Sequence, residues 1–214
     1  MPTLLMRLVG PMQSWGADSR FGERGTLNEP TKSGVIGLLC AAIGRDRGEP
    51  IDDLSRLRMG VRVDREGHLM CDYHTALDVP NSAGTHRDTV VSNRWYLADA
   101  AFLVGIEGDD QVQLLSLHAA LRSPRWHLSL GRRACVPSEP VWMKDAVVEL
   151  SLSLALKAWP SLVELSPDAA PARCVFDDPE GPQTRPDLPI APFIQRSFGI
   201  RRVRTEYVSW NSPA

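Results

Sequence analysis

From Val35 to Ile43 every residue is apolar or glycine. A run of that length and composition reads as a helix buried nearly all round, so the rest of the chain has to supply apolar surface on more than one side of it. What precedes the run is equally ordered. Leu4–Val9 is short and apolar enough for a buried strand, and the chain then breaks at Gly10-Pro11. It runs on through Met12-Gln13-Ser14-Trp15-Gly16 and crosses a polar loop to Glu29-Pro30-Thr31-Lys32-Ser33-Gly34. Thr31 or Ser33 can cap the helix, whose first turn presents free N–H groups and the positive end of the dipole. A strand, a loop carrying Trp15, and a helix start beside Lys32 together look like a phosphate cradle with a stacking platform.

The cradle is not that of an NTPase. A P-loop needs glycine directly before its Lys-Ser pair and again five residues earlier. Thr31 and Thr26 stand there instead. Gly34 and Gly37 each cost about 1 kcal/mol relative to alanine inside a helix, which predicts close packing of the helix against a sheet. Lys32 and Ser33 are candidates for phosphate contact.

A chain of 214 residues with 43% hydrophobic content supports a real core. Its formal charge of −2 argues against a bulk nucleic-acid sponge. Of its 24 basic residues only Lys32, Lys144 and Lys157 are lysines, leaving 21 arginines. Arginine suits bidentate phosphate contacts and stacking on bases, although a GC-rich genome also raises its count. Cys40, Cys71, Cys135 and Cys174 lie far apart, with no C-x-x-C pair or zinc-ligand spacing, which predicts free thiols in a reducing cytoplasm and no metal or cofactor. Arg7 interrupts the only early apolar run, so no signal peptide is expected. Val35–Ile43 is too short to span a bilayer.

Further along, Met59–Val63 and His68–His74 read as paired strands about a turn at Glu66-Gly67. Residues 78–93 carry little apolar content, as a functional or a disordered insertion would. Ala100–Ile106 is a buried strand. Leu114, Leu117, His118 and Leu121 mark one helix face ending before Pro124, and 147–156 can supply another strand. This order predicts an α+β fold: a ferredoxin-like or RRM-like βαββαβ domain over 1–156 with an inserted arm. A smaller, proline-rich C-terminal part follows over 157–214.

Leu8-Val9-Gly10-Pro11-Met12-Gln13-Ser14-Trp15-Gly16, Pro30-Thr31-Lys32-Ser33-Gly34, Asp72-Tyr73-His74-Thr75 and Leu130-Gly131-Arg132-Arg133-Ala134-Cys135 fall in this order. The set resembles the CasD family, a subunit of the type I-E CRISPR surveillance complex called Cascade. Phe193–Val203, with Arg196, Arg201 and Arg202, is similar to the family's closing segment; the proline-rich 160–192 matches nothing in it. The resemblance implies a non-catalytic, cytoplasmic subunit that grips the 5′ handle of the CRISPR RNA. It also implies contact with the Cascade backbone subunit and the large subunit. Its fold would be RRM-like with a β-rich C-terminal part, and its protruding thumb hairpin would fall on about 77–94.

On that reading Gln13 reads a base edge and Trp15 stacks, although both residue types also serve as core caps. Arg132 and Arg133 would bracket one phosphodiester, and Arg20 and Arg24 would track the backbone. Arg87 and Arg94 would grip RNA from the thumb. His74 beside Tyr73 raises a rival reading, a metal-independent endoribonuclease processing precursor CRISPR RNA, with Lys32 as the phosphate cation. A histidine at a strand end is more often a structural hydrogen-bonder, and the expectation is no enzyme. A second rival is a pure protein scaffold using Trp126, Trp142 and Trp210 as anchors.

Overall fold

The computed structural model describes residues 1–16 and 22–210. In chain order it contains β1 (Thr3–Val9), the short β2 (Met12–Gln13) and β3 (Glu23–Arg24), then α1 (Lys32–Ile43) and the single turn α2 (Asp52–Ser55). Next come β4 (Arg58–Arg65), β5 (His68–Pro80), β6 (Arg87–Ala98), β7 (Ala101–Glu107) and α3 (Gln111–Arg122). The last third holds β8 (Val147–Val148), α4 (Leu152–Ala158), β9 (Ala172–Asp177), β10 (Gln183–Pro189), a 3-10 turn at Phe193–Gln195, and β11 (Phe198–Val208).

Seven strands form one sheet in the order β10-β11-β9-β4-β7-β1-β8, with each neighbouring pair antiparallel. Strand β7 lies inside it, between β4 and β1, and is buried along its whole length, which explains the apolar run Ala101–Ile106. The alternation of side chains sends Leu4, Met6 and Leu8 of β1 to the face covered by α1 and α3. Leu5 of β1 and Leu103 of β7 go to the other face, under Leu152, Ala155 and Leu156 of α4. That second covering helix replaces the strand expected over 147–156, of which only Val147–Val148 pairs with β1. The spacing of Leu152, Ala155 and Leu156 is helical, and the buried Glu107 carboxylate accepts the Leu152 N–H at 2.9 Å at the helix start.

The expected boundary at 156/157 falls inside α4, and the sheet takes strands from both sides of it. β9 pairs with β4 from Gly60↔Phe176 to Val63↔Arg173, so the C-terminal strands complete the same layer. Strands β9 and β10 lie within the segment expected to be merely proline-rich. Pro186 and Pro189 are tolerated because β10 is an edge strand, paired on one side only.

The 77–94 segment is likewise paired backbone. β5 and β6 form a long hairpin, from His68↔Ala98 out to Pro80↔Arg87, with a shift between Ala76 and Val79. The Asn81 side chain closes the tip, accepting the Thr85 N–H at 3.1 Å. Almost every residue from Leu77 to Val91 is exposed, so ladder hydrogen bonds hold this ribbon where no apolar core does. At its base β2 and β3 pair with β6.

The start of α1 is tied to the C-terminal strands by a buried quartet of charges. Lys32, Asp177, Asp187 and Arg201 are each at most 9% exposed. Lys32 Nζ reaches Asp177 Oδ2 at 2.9 Å, and its backbone N–H donates to Asp187 Oδ2 at 2.8 Å. Arg201 grips Asp187 through Nε at 2.6 Å and Nη2 at 2.9 Å, and also bonds Asp177. Removing one member leaves its partners charged and desolvated, which typically costs about 3–5 kcal/mol. Burial alone would raise the Asp177 pKa, but Lys32 and Arg201 outweigh it and hold it below its ordinary value. A depressed folded pKa stabilises the protein above the unfolded value, about 3.9, and that stabilisation is lost as pH falls through the folded one. Urea denaturation should therefore show Asp187→Ala less stable by about 3–5 kcal/mol. The melting temperature of the unsubstituted chain should fall steeply below about pH 4; equal values at pH 6 and pH 3 would contradict the quartet's role.

Candidate nucleic-acid interface

After β1 the chain turns back on itself and buries its next two functional candidates. Gln13 Nε2 donates to the carbonyls of Leu8 at 3.0 Å and Ala100 at 2.8 Å, while its Oε1 accepts the Trp15 indole N–H at 3.1 Å. Both residues are fully buried. This corrects the expectation that Gln13 reads a base and Trp15 stacks on one: their polar atoms are already paired inside the fold. The Trp15 ring lies where a Cβ on Gly34 would come within 2.9 Å of it, so Gly34 is required by this helix–loop contact.

The Leu130–Cys135 loop closes over the same place. Ser14 N–H donates to the Leu130 carbonyl at 3.1 Å, and Cys135 and Leu130 bond across the loop at 2.8 Å. Gly131 adopts φ +87°, and a Cβ there would lie 1.8 Å from the Ser14 carbonyl oxygen. No other residue fits without moving the loop. Arg132 sits over the Tyr96 ring, 4.6 Å from its centroid, and donates to the backbone carbonyls of Arg24 and Gly25. Its Nη1 is buried without a hydrogen-bond partner among the described residues. Arg133 is exposed.

Between these loops and α1 runs a groove. Two cavities, of about 340 and 390 Å³, share Ser33, Gly34, Gly131 and Phe193 as lining and so form one channel. Its floor is a stripe of small residues on α1, Ser33, Gly34, Gly37 and Ala41, each only half-buried. The helix expected to be buried all round thus leaves one side open. At one end stand Arg24, Arg132 and Phe198; at the other stand Arg45, Arg47 and Trp126. Cys40 also lines it, its thiol pushed up to about 11 by burial and therefore neutral.

Two groups of arginines contrast, and the chain's other arginines belong to neither. Arg62, Arg173, Arg185 and Arg201 are internal, each bonded to Asp or Glu. Arg173 and Arg185 clasp the buried Glu29, outweighing the effect of burial and holding its carboxyl below the usual range. Arg24, Arg47, Arg125, Arg132, Arg133 and Arg196 form no ion pair with a carboxylate among the described residues. These lie along the groove or in the loops that wall it.

The family model described as CRISPR-associated protein (Cas_Cas5) matches residues 3–204. The chain belongs to the Cas5 family. Over 155 residues this Cas5 chain is 34% identical to the CRISPR system Cascade subunit CasD of Escherichia coli (strain K12), covering 65% of itself and 69% of that protein. A solved structure described as "Crystal structure of Cas protein" superposes with a TM-score of 0.82 at 45% identity, over 97% of this chain and 95% of that one. A chain of a "CRISPR RNA-guided surveillance complex" superposes with a TM-score of 0.80 at 35% identity, over 96% and 90%. The CasD resemblance carried by the four motifs is borne out. No described helix of the Cas5 chain is long and apolar enough to cross a membrane.

The fold brings three of the four motifs of the Cas5 chain to the groove, leaves Asp72–Thr75 on the β5–β6 hairpin, and changes what several of their residues do. Lys32 is sealed against Asp177, and Asp187 occupies the helix N-terminus where a phosphate was expected; Ser33 remains on the groove. Arg24 and Arg94 are register partners on β3 and β6, and the Arg24 carbonyl accepts from Arg132. Arg94 also donates to Ser92 Oγ at 3.1 Å. His74 stands on β5 beside Asp72, with Nδ1 3.5 Å from its carboxylate, and Arg87 is exposed near the tip. Arg20 lies outside the described residues. Of the closing segment, Arg201 is internal. Sequence reasoning missed Arg47 and Phe193 as groove residues and placed Trp126 only as a protein anchor; the one local signal was Arg125 beside Trp126.

Gly131→Ala should unfold the loop junction and lower the melting temperature by several degrees. Gly37→Ala meets only Phe193 Cζ, at 3.8 Å. It should stabilise the chain by up to about 1 kcal/mol in urea titration.

Proposed function

We propose that this Cas5 protein is a CRISPR RNA-binding subunit of a Cascade-type surveillance complex, holding the single-stranded 5′ handle along the α1 groove and joining the backbone and large subunits. The observation that carries the reading is the division of the arginines. Internal ones are neutralised by acids, whereas those lining or walling the groove, Arg45 excepted, have no carboxylate partner among the described residues. Unneutralised guanidiniums beside exposed aromatic rings are what a single strand requires. In this reading β8-β1-β7-β4 with α1 and α3 is the ferredoxin-like core, and β5–β6 is the thumb. The exposed Ile190, Ile194, Phe198 and Ile200 give a protein neighbour an apolar patch beside the groove.

The protein acts without catalysis. Metal-free RNA cleavage needs a base, an acid and a cation converging on one phosphate. Lys32, the cation available to a Tyr73–His74 pair, is committed to the buried quartet. Tyr73 and His74 are adjacent on β5, and so project to opposite faces of the hairpin.

Binding to a handle-bearing single strand should weaken with salt. For roughly four phosphate contacts the log–log slope is about −3. Arg24→Ala combined with Arg47→Ala should cut that slope by about half without lowering the melting temperature; an unchanged slope would put these arginines elsewhere. Precursor RNA should survive incubation with or without EDTA, and defined products that disappear on His74→Ala would overturn the non-catalytic reading. Replacing residues 81–86 with a short Gly-Ser link should leave the core's melting temperature intact and reduce the yield of assembled complex. Unfolding of the core, or full assembly, would refute the thumb assignment.

A further inference from the structure

Gly37 has no internal reason to be glycine. Gly34, one turn before it, is demanded by the Trp15 ring, but a Cβ on Gly37 would meet only the tip of Phe193 at an ordinary contact distance of 3.8 Å. The helix therefore forgoes the gain that alanine would bring at mid-helix and keeps the space open. That space is the 390 Å³ cavity between α1, the Trp126 loop and the 3-10 turn.

We infer that this cavity receives one unstacked nucleobase of the bound strand. The inference rests on the RNA-binding reading above and names what the groove holds at this point. The walls are fixed in advance. Trp126 and Arg125 donate their backbone N–H groups to the free carbonyls of Ala41 and Ala42 at the end of α1, at 3.1 and 2.9 Å. Ile194 N–H donates to the Arg47 carbonyl at 2.9 Å, holding Phe193 on the opposite side. A flat ring can slide over the bare backbone of Gly37 between Trp126, 42% exposed, and Phe193. Ser33 and Ser129 offer hydroxyls to a base edge. The volume lies at the small end of the ~300–1,000 Å³ usual for ligand pockets, suiting one base. Charge selects the occupant. Arg45 is neutralised by Asp53, but Arg47 at the mouth has no carboxylate partner among the described residues, and Arg24 and Arg132 continue the channel. An apolar peptide side chain would fit the hole but not the cations along its approach.

The test uses the full chain and a fluorescein-labelled single-stranded RNA carrying the handle, with each base replaced in turn by an abasic ribose. One position should lose affinity by about 10- to 100-fold, the worth of one stacked base. Gly37→Leu, which fills the cavity, should show that loss with the intact strand and no further loss with the abasic one. Uridine replaced by 5-iodouridine at that position should crosslink to Trp126 or Phe193 in the unsubstituted protein, a readout independent of how Gly37→Leu folds. A flat abasic scan overturns the inference, as do adducts confined to the hairpin or wild-type binding by a folded Gly37→Leu chain. Failure of the unsubstituted protein to bind any single strand would instead refute the RNA-binding reading itself.

Discussion

The structure depends on how the N-terminus of α1 is satisfied. That end carries free N–H groups, a positive dipole and Lys32, and it faces inward, where an unpaired charge could not survive. Asp187 supplies the anion, Asp177 takes the Lys32 ammonium, and Arg201 balances both carboxylates. Since Asp177, Asp187 and Arg201 come from β9, β10 and β11, the quartet places the C-terminal strands relative to a helix more than a hundred residues earlier. Pairs of such geometry add little net stability beyond what an apolar contact would, but they tolerate no alternative arrangement. Here they specify which edge of the sheet meets the start of the helix.

The same accounting separates the internal arginines from those along the groove. A guanidinium inside the fold must be bonded on all sides, and Arg62 meets that demand with Asp64 and the carbonyls of Leu156, Trp159 and Pro160. Along the groove the demand is relaxed, because water or a polyanion can serve. Arg132 belongs to both regimes: it is stacked on Tyr96 and bonded to the β3 backbone, yet one nitrogen has no partner among the described residues. It holds the hairpin base in place while leaving charge beside the groove.

The groove itself exists because α1 presents small residues on one side. Gly34 allows the Trp15 ring to lie against the helix, and Gly131 allows the following loop to rest on Ser14. The opening between them is framed by loops that cap the far end of α1. Groove walls and helix capping are thus met by the same backbone segments, which keeps the channel formed in the free protein.

Much of this was legible in the chain alone. The apolar run of α1, its Thr31 cap, the buried strand β7, the helix marked by Leu114, Leu117 and Leu121, and the four ordered motifs all follow from local periodicity and residue chemistry. These signals persist in sequence because neighbours along the chain satisfy them. Tertiary structure decided the rest. Whether Lys32 meets phosphate or Asp177, and whether Trp15 faces a base or Gly34, depends on partners far away in sequence. Proline content concealed β9 and β10, because an edge strand tolerates proline and only the pairing reveals the edge. The arginine count was plain from the start. Which arginines stay unneutralised could be settled only when the fold brought the acids to the others.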